Sequence, residues 1–545
     1  MTRDKLFLPA GIAAVFVLLG FCPGFPVLPF SIPLLVLLYP VGTACLGVRA
    51  ANDRQAFLYG LFVAGAGHAI ALFWLRNPMS IVGGLPMLLA ILLTFIVCLL
   101  LATQAGLFAV MARHVWQPDL LRSAIALGLC WYFLEYAYAL VVGFPWLPLS
   151  GALILWPWTM QAADTLGAYL TSAIWLMAAF ALYGGIAARK VLPFACSLVL
   201  ALCLSAYGLM TLTVSPMEAH TGPAEAEAAL PVPPADDDVF PVLMADGNID
   251  QNQKWVESYR RSTVATYDRL TSEALEKAAG QEALFLQQGQ ALKDYLSKGI
   301  IIWSETAMPF DLPSSPYTAT LSALARQSSM GLLTGAPGYE RDGSTYKVYN
   351  RIWLINAQGR PGGYYDKEHL VPFGEYIPSF FRLSFLDGLL QGVGAYTEGT
   401  RTDPLKYGRL ALGPLVCYEA IFPWLAQERC KDGANVLLDV SNDGWFGATA
   451  APWQHLYLAG LRCLEQNRWL VRCTNTGISA VFDSRGRLVF EGPQFTACAL
   501  WASARIIETP SRFHGLFYIL PALCGILLIG LVWSIRRKGQ SACNS

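Results

Sequence analysis

RLALGPLVCYEAIFP (409–423) runs seven apolar or small residues, Leu410 to Val416, straight into a thiol, a phenol and a carboxylate. A run of that length, entered from the turn-like KYGR, reads as a buried strand whose C-terminal end opens into a loop. KGIIIWSETAMPF (298–310) repeats the pattern, with Glu305 just beyond the apolar run, and GGYYDKEHLVPFGEY (362–376) places Lys367 after a strand and turn. Working outward, VFPVLMADGNI, MGLLTGA, YNRIWLINAQGR, ANVLLDVSND, WLVRCTN and SAVFDSRGRLVF also read as strands. SYRRSTVATYDRLTSEALEKA and QHLYLAGLRCLEQNR have helical periodicity. Buried strands alternating with amphipathic helices predict an α/β layered domain over 239–512.

The remainder is of another kind. Hydrophobic residues make up 55% of the 545 and charged residues 14%, with a mean hydropathy of +0.43, whereas soluble chains average about 25% charged. The apolar residues concentrate before 215 and again at 513–535. With roughly 20 apolar residues needed per span, about eight membrane helices are expected, at 6–22, 26–48, 56–76, 84–111, 121–143, 161–186, 191–214 and 513–535. The first lacks the small-residue cleavage site of a signal peptide and is kept as a span. Basic residues fall on alternate connections: Arg3 and Lys5, Arg49 and Arg54, Arg113 and Arg122, Arg189 and Lys190, then Arg536, Arg537 and Lys538 in the tail 536–545. The positive-inside rule then puts both termini in the cytoplasm and 215–512 outside it. Residues 215–238, rich in Pro, Ala, Glu and Asp, are expected to be a linker. A net charge of zero gives no support to a nucleic-acid partner.

Thirteen cysteines occur, five of them (Cys417, Cys430, Cys463, Cys473, Cys498) in the α/β part, without CxxC or Cys/His metal spacing, so no metal is expected. Glu305, Lys367 and Cys417 together supply a base, a cation and a nucleophile. An adjacent cation lowers a thiol's pKa, Glu305 can take the thiol proton, and Lys367 with the backbone N–H of Tyr418 can stabilise an oxyanion. Each alone has a plainer reading: Cys417 as an inert buried thiol, Glu305 as a turn cap before Pro309, Lys367 as one charge on a solvated loop. A Cys–His protease with His455 as base fits the order of these segments poorly.

SETAMPF, DKEHLVPFGEY and LVCYEAIFP, in that order, resemble the nitrilase superfamily. With the apolar spans, GGLP (83–86), GFPW (143–146), DGNIDQNQKW (246–255), VSNDGWFG (440–447) and RCLEQNRWLVRCTNTG (462–477), the chain resembles its membrane-embedded branch, the apolipoprotein N-acyltransferases. The resemblance implies a nitrilase-like αββα sandwich and a Glu305–Lys367–Cys417 triad. It also implies Glu375 as a carboxylate supporting the triad, and Trp255, Tyr418 and Glu419 as further residues needed for activity. It implies no cofactor, a phospholipid acyl donor, a diacylated apolipoprotein acceptor, and a bacterial inner membrane with the catalytic domain in the periplasm. Cys463, where small residues are usual, and LEYAYAL (134–140), which lacks a customary arginine, depart from the pattern. YIPSFFRLSFLDGLLQGVGAY (376–396), apolar apart from Arg382 and Asp387, reads as a mobile arm dipping into the bilayer interface. Two competitors remain: a membrane-anchored nitrilase-like amidase using the same triad, and a non-catalytic lipid-binding protein.

Overall fold

A long apolar run in lipid must satisfy its backbone internally, which selects helix. The computed structural model describes residues 32–214, 230–231, 236–287, 289–377 and 396–543. The chain divides into two compact units, one of Met1–Arg76, Met87–Pro216 and Ser511–Ser545, the other of Asn77–Pro86 and Met217–Pro510.

The first unit is helical: α1 (Leu38–Arg49), α2 (Asp53–Ala71), α3 (Met87–Val115), α4 (Leu120–Val141), α5 (Ala168–Ala188), α6 (Val191–Val214) and a C-terminal helix Ile519–Cys543. Asn52 and Asp119 cap α2 and α4 by accepting from the backbone N–H of Gln55 and Arg122, which satisfies donors a helix start leaves open. Among the described residues α3 to α6 are long and apolar enough to cross a membrane. The bent pair Asp53–Ala71 and Phe73–Ile81 would make a fifth span, and Pro33–Arg49 and Ile519–Ile535 are shorter apolar helices. Gly60 of α2 lies on the backbone of Ala105 in α3, where a methyl group would collide; small residues permit such close approach of membrane helices.

The span 6–22 and the start of 26–48 lie outside the described residues. Two expectations shift. The stretch 161–186 is not one helix: short turns at Pro157–Met160 and Ala163–Leu166 precede α5, and the break falls at Gly167, whose φ of 75° suits glycine. Residues 77–86, expected within the membrane block, cluster with the second unit, where Asn77 Nδ2 donates to the Phe446 carbonyl. Most of the linker and residues 378–395 of the expected arm also lie outside the described residues.

The second unit has two six-stranded sheets. In the first the order is β12-β1-β2-β3-β4-β5 (β1 Val239–Asp246, β2 Ile300–Trp303, β3 Gly331–Asp342, β4 Thr345–Ile355, β5 Pro361–Asp366, β12 Cys498–Arg505). In the second it is β11-β10-β9-β8-β7-β6 (β6 Leu405–Tyr407, β7 Leu410–Val416, β8 Val436–Ser441, β9 Leu470–Thr474, β10 Ala480–Phe482, β11 Leu488–Glu491). Strands β1–β2–β3 and β7–β8–β9 are parallel and their outer neighbours antiparallel. Strand alternation sends Val242, Met244, Ile300 and Ile302 toward Leu412, Val416, Leu438 and Val471 in a core between the sheets. Leu243, Ile301 and Trp303 point the other way, onto α7 (Arg260–Ala279) through Tyr267 and α8 (Thr318–Ser328) through Leu324. On the second sheet α9 (Pro423–Lys431) packs against β7, and α10 (Ala451–Gln466) against β9. The layers run helix, sheet, sheet, helix. Strands β5, β6 and β12 and helices α8 and α9 were not anticipated; in PGGYYD two glycines mask the strand pattern, and β6 has three residues.

Candidate active site

Parallel strands in one sheet end on the same side, and their ends are where α/β sheets place ligands. Glu305 lies two residues beyond β2, Lys367 directly beyond β5 and Cys417 directly beyond β7. The structure brings all three to one buried centre, together with Glu375 from the loop after Lys367.

Each is held by its local backbone. Glu305 stands in a tight turn whose next residue, Thr306, has a φ of 47°. Gly335 of β3 abuts that turn so closely that any β-carbon would collide with the Thr306 amide nitrogen. The Lys367 N–H donates to the Asn350 carbonyl on β4 (2.9 Å). Cys417 starts a short 3-10 turn, Cys417–Ile421, with a φ of 54°; left-handed backbone costs a non-glycine residue about 1–2 kcal/mol. The strand-to-turn reversal lifts a nucleophile off the sheet end, as nucleophile elbows do.

The charges are paired and nearly dry. Lys367 Nζ donates to Glu375 Oε1 (2.9 Å) and reaches Glu305 Oε1 (3.5 Å). Asn350 Nδ2 bridges the same two oxygens, at 2.7 Å to Glu305 and 2.9 Å to Glu375, and the Val371 N–H donates to Glu375 Oε2 (2.8 Å). Lys367 is 1% exposed, Glu305 5% and Glu375 6%. Burial alone would lower the Lys367 ammonium, but the carboxylates of Glu375 and Glu305 carry it well above its ordinary value. Lys367 is therefore a fixed cation and not a proton donor. Burial pushes the Cys417 thiol up, the Glu305 carboxylate pushes it further, and Lys367 pulls back without prevailing. That revises the expectation of a cation-stabilised thiolate: burial outweighs the neighbouring cation and favours the thiol.

The remaining predicted residues sort by geometry. Glu419 is fully buried and spent on hydrogen bonds. Its Oε1 accepts from the N–H groups of Glu368 (2.7 Å) and His369 (2.9 Å), its Oε2 from that of Val416 (2.7 Å), and the Tyr365 hydroxyl donates to both. It thus ties the loop after Lys367 to the turn that carries Cys417. Tyr418 is buried beside Phe422, ring centroids 5.0 Å apart. Trp255 is 44% exposed, so nothing within its own unit fully covers it.

Four contributors lie outside the predicted site residues, His455 having been weighed as a protease base. Asn350 is one. His455 Nε2 donates to the Cys417 carbonyl (2.9 Å), while Nδ1 meets Arg472 Nη2 (3.0 Å). Since a carbonyl only accepts, Nε2 carries a hydrogen, and Nδ1 also lies 3.2 Å from Asp443 Oδ1. His455 therefore fixes the nucleophile's backbone, which removes the Cys–His protease reading. Arg472, fully buried, pairs with Asp439 and with Asp443 (2.9 Å). Asp443 is held well below the carboxylate range: burial opposes this, but Arg472 and His455 overcome it. The fourth, Lys254, is taken up below. Loops from three strand ends latch above this base: Asn475 Nδ2 donates to the Ile249 carbonyl (2.8 Å) and Asn442 Nδ2 to Gln251 Oε1 (2.7 Å). The five cysteines of this unit are all free.

Comparison with known proteins agrees with this layout. Residues 297–503 match the carbon-nitrogen hydrolase family, and residues 13–181 match the apolipoprotein N-acyltransferase N-terminal domain. Relatives carrying the name apolipoprotein N-acyltransferase come from Geobacter metallireducens (32% identical, covering 89% of this chain and 88% of the relative) and Brucella melitensis (32%, 85% and 81%). Another, from Azotobacter vinelandii, is 29% identical, with 95% and 93% covered.

Proposed function

We propose, for a chain that belongs to the apolipoprotein N-acyltransferase family, that acyl transfer proceeds through a thioester on Cys417, with a membrane phospholipid as donor. The enzyme is a lipoprotein N-acyltransferase with a carbon-nitrogen hydrolase domain. The observation that carries the mechanism is the convergence of Glu305, Lys367 and Cys417 in one buried centre.

In the first half-reaction Cys417 Sγ attacks the donor ester carbonyl and its proton passes to Glu305. Lys367 and the Tyr418 N–H hold the oxyanion. Collapse breaks the ester C–O bond, and the proton from Glu305 goes to the departing lysophospholipid. In the second half the free α-amine of an S-diacylglyceryl-cysteine attacks the thioester, Glu305 takes the amine proton, and the thiol leaves with it. Two chemical steps through one covalent intermediate give ping-pong kinetics. Glu375 keeps Lys367 charged and in place; Glu419 fixes the nucleophile turn; Trp255 and Tyr418 line the approach. About eight spans, with residues 1–214 and 513–535 in the bacterial inner membrane and 215–238 as linker, would set 239–512 in the periplasm and both termini in the cytoplasm. The alternation of basic loops supports that topology, and the apolar stretch 376–396 would serve as the arm admitting an acyl chain.

Purified enzyme given phospholipid alone should accumulate an acylated Cys417 visible by mass spectrometry, and a diacylglyceryl peptide should discharge it as N-acyl peptide. Cys417→Ala should remain folded and form no adduct. Free fatty acid or ammonia in place of N-acyl peptide would identify a hydrolase, and activity retained by Cys417→Ala would end the mechanism.

A further inference from the structure

A second lysine is buried beside the triad. Lys254 ends the short helix Gln251–Lys254, in the loop after β1, and is 1% exposed. Among the described residues its ammonium has one hydrogen-bond partner, the main-chain carbonyl of Glu305 (2.9 Å). An ammonium carries three N–H donors, so two have no acceptor among the described residues, in a place where unmet donors are costly. Among the described residues Lys254 forms no salt bridge, whereas other buried cations of this unit are spent: Lys367 on Glu375 and Glu305, Arg472 on Asp439 and Asp443, Arg429 on Glu368.

The charge balance of the centre makes that spare cation meaningful. Within the cluster joined by Lys367 Nζ, Glu305 and Glu375 outnumber the cation by one. Lys254 supplies the missing positive charge, and the balance holds when the proton moves from Cys417 to Glu305. The carboxylate of Glu305 and the sulfur of Cys417 both act on Lys254, raising its affinity for a proton against the stronger effect of burial. Lys367, Glu375, Glu419, Asp443 and Arg472 are other charged groups that act on this centre.

We propose that Lys254 is the second cation of the acyl-transfer centre, a positioning residue. It anchors Glu305 by its carbonyl and offsets the negative charge that passes between Cys417 and Glu305. The inference rests on the acyl-transfer reading above. Among the described residues a carbonyl alone holds Lys254, and burial lowers its ammonium to about 8. The same residue therefore sets an alkaline limit: as pH rises through about 8 the compensating charge is lost. Lys367, well above its ordinary value, imposes no such limit.

The test uses the full-length enzyme and variants Lys254→Met and Lys254→Arg, following Cys417 itself by peptide mass spectrometry. Two pH profiles are measured: alkylation of Cys417 by iodoacetamide, and single-turnover acylation by phospholipid. Lys254→Met should move the alkylation profile up by about one unit, a tenfold loss of thiolate at a given pH, and slow acylation about tenfold near neutrality. Lys254→Arg keeps its charge at all accessible pH; it should retain most of the neutral rate and abolish the fall in acylation above about pH 8. An unchanged Cys417 alkylation profile in the Met variant, whatever its thermal midpoint, overturns the proposal. Should the Met variant not fold, an alkaline limb identical in wild type and Lys254→Arg overturns it. Absence of any Cys417 thioester in the wild type refutes acyl transfer instead, and the alkylation profiles still decide the role of Lys254.

Discussion

Replacing Glu375 by Gln keeps the side chain's shape and removes its charge from the most tightly paired cation of the centre. Lys367 Nζ lies 2.9 Å from Glu375 Oε1 and 3.5 Å from Glu305 Oε1. At an effective dielectric of about 20, these pairs are worth about 6 and about 5 kcal/mol before desolvation. The Gln amide can still accept from Lys367 and Asn350, and it no longer needs a carboxylate stripped of water, so most of the 6 kcal/mol is offset. A net loss of about 2 kcal/mol remains, which lowers the thermal midpoint by about 5 °C in a unit of this size. The kinetic effect is larger than the stability effect suggests. With Glu375 neutral, the Lys367 ammonium relies on Glu305 alone, and a carboxylate bound more tightly to a cation is a poorer proton acceptor. If about 2 kcal/mol of that attraction must be given up when Glu305 takes the thiol proton, acylation slows about thirtyfold. Glu305 also serves the amine step, so both half-reactions should slow by similar factors. Single-turnover acylation with phospholipid, followed by discharge with a diacylglyceryl peptide, measures each factor. A Glu375→Gln enzyme that acylates Cys417 within twofold of wild type would refute the dependence of Glu305 on Glu375.

Glu419→Gln leaves every reacting group in place but cannot accept from all of Val416, Glu368, His369 and Tyr365. Acylation should fall about tenfold or more with no shift in the Cys417 alkylation profile, and a shifted profile would instead assign Glu419 a direct charge effect. Asp246 at the end of β1 is raised to about 8, chiefly by burial, against the hydrogen bonds from Ser479 and Cys473. Its folded state therefore holds a proton that the unfolded chain releases near 4, and stability declines as pH rises from about 4 to 8, by up to about 1.4 kcal/mol per pH unit. Asp246→Asn should remove that slope and raise the midpoint at pH 8, as followed by thermal unfolding between pH 5 and 8; a midpoint at pH 8 below wild type would contradict the assignment.

The legible part of the site was what lies at strand ends. An apolar run of strand length that stops at Cys417 or just short of Glu305 announces both the strand and the odd residue beyond it, because burial of the run needs no partner information. Asn350, Lys254 and His455 carry no such mark. In TYKVYNRIWLI the asparagine sits where a polar residue on a half-exposed strand would sit, and only the pairing of Arg351 with Asp366 brings Asn350 beside Lys367. QNQKW follows a strand and turn, and nothing in its composition says that the lysine turns inward to the Glu305 carbonyl. His455, on a helix remote in sequence, reaches the Cys417 carbonyl only through the register of β7, β8 and β9. What was missed shares one property: each residue acts on another segment's backbone or charge, and strand order and register alone decide which segment that is. The same property explains why Glu419 enters by resemblance as a residue needed for activity but proves to be committed to backbone donors. A carboxylate two residues after Cys417 suggests chemistry, yet four donors converging on it from β5, the loop after Lys367 and β7 commit both its oxygens to holding these segments together. In the proposed mechanism the proton acceptor is the carboxylate least engaged: Glu305 Oε1 meets Asn350 at 2.7 Å and Lys367 at 3.5 Å, and its other oxygen carries no hydrogen bond among the described residues.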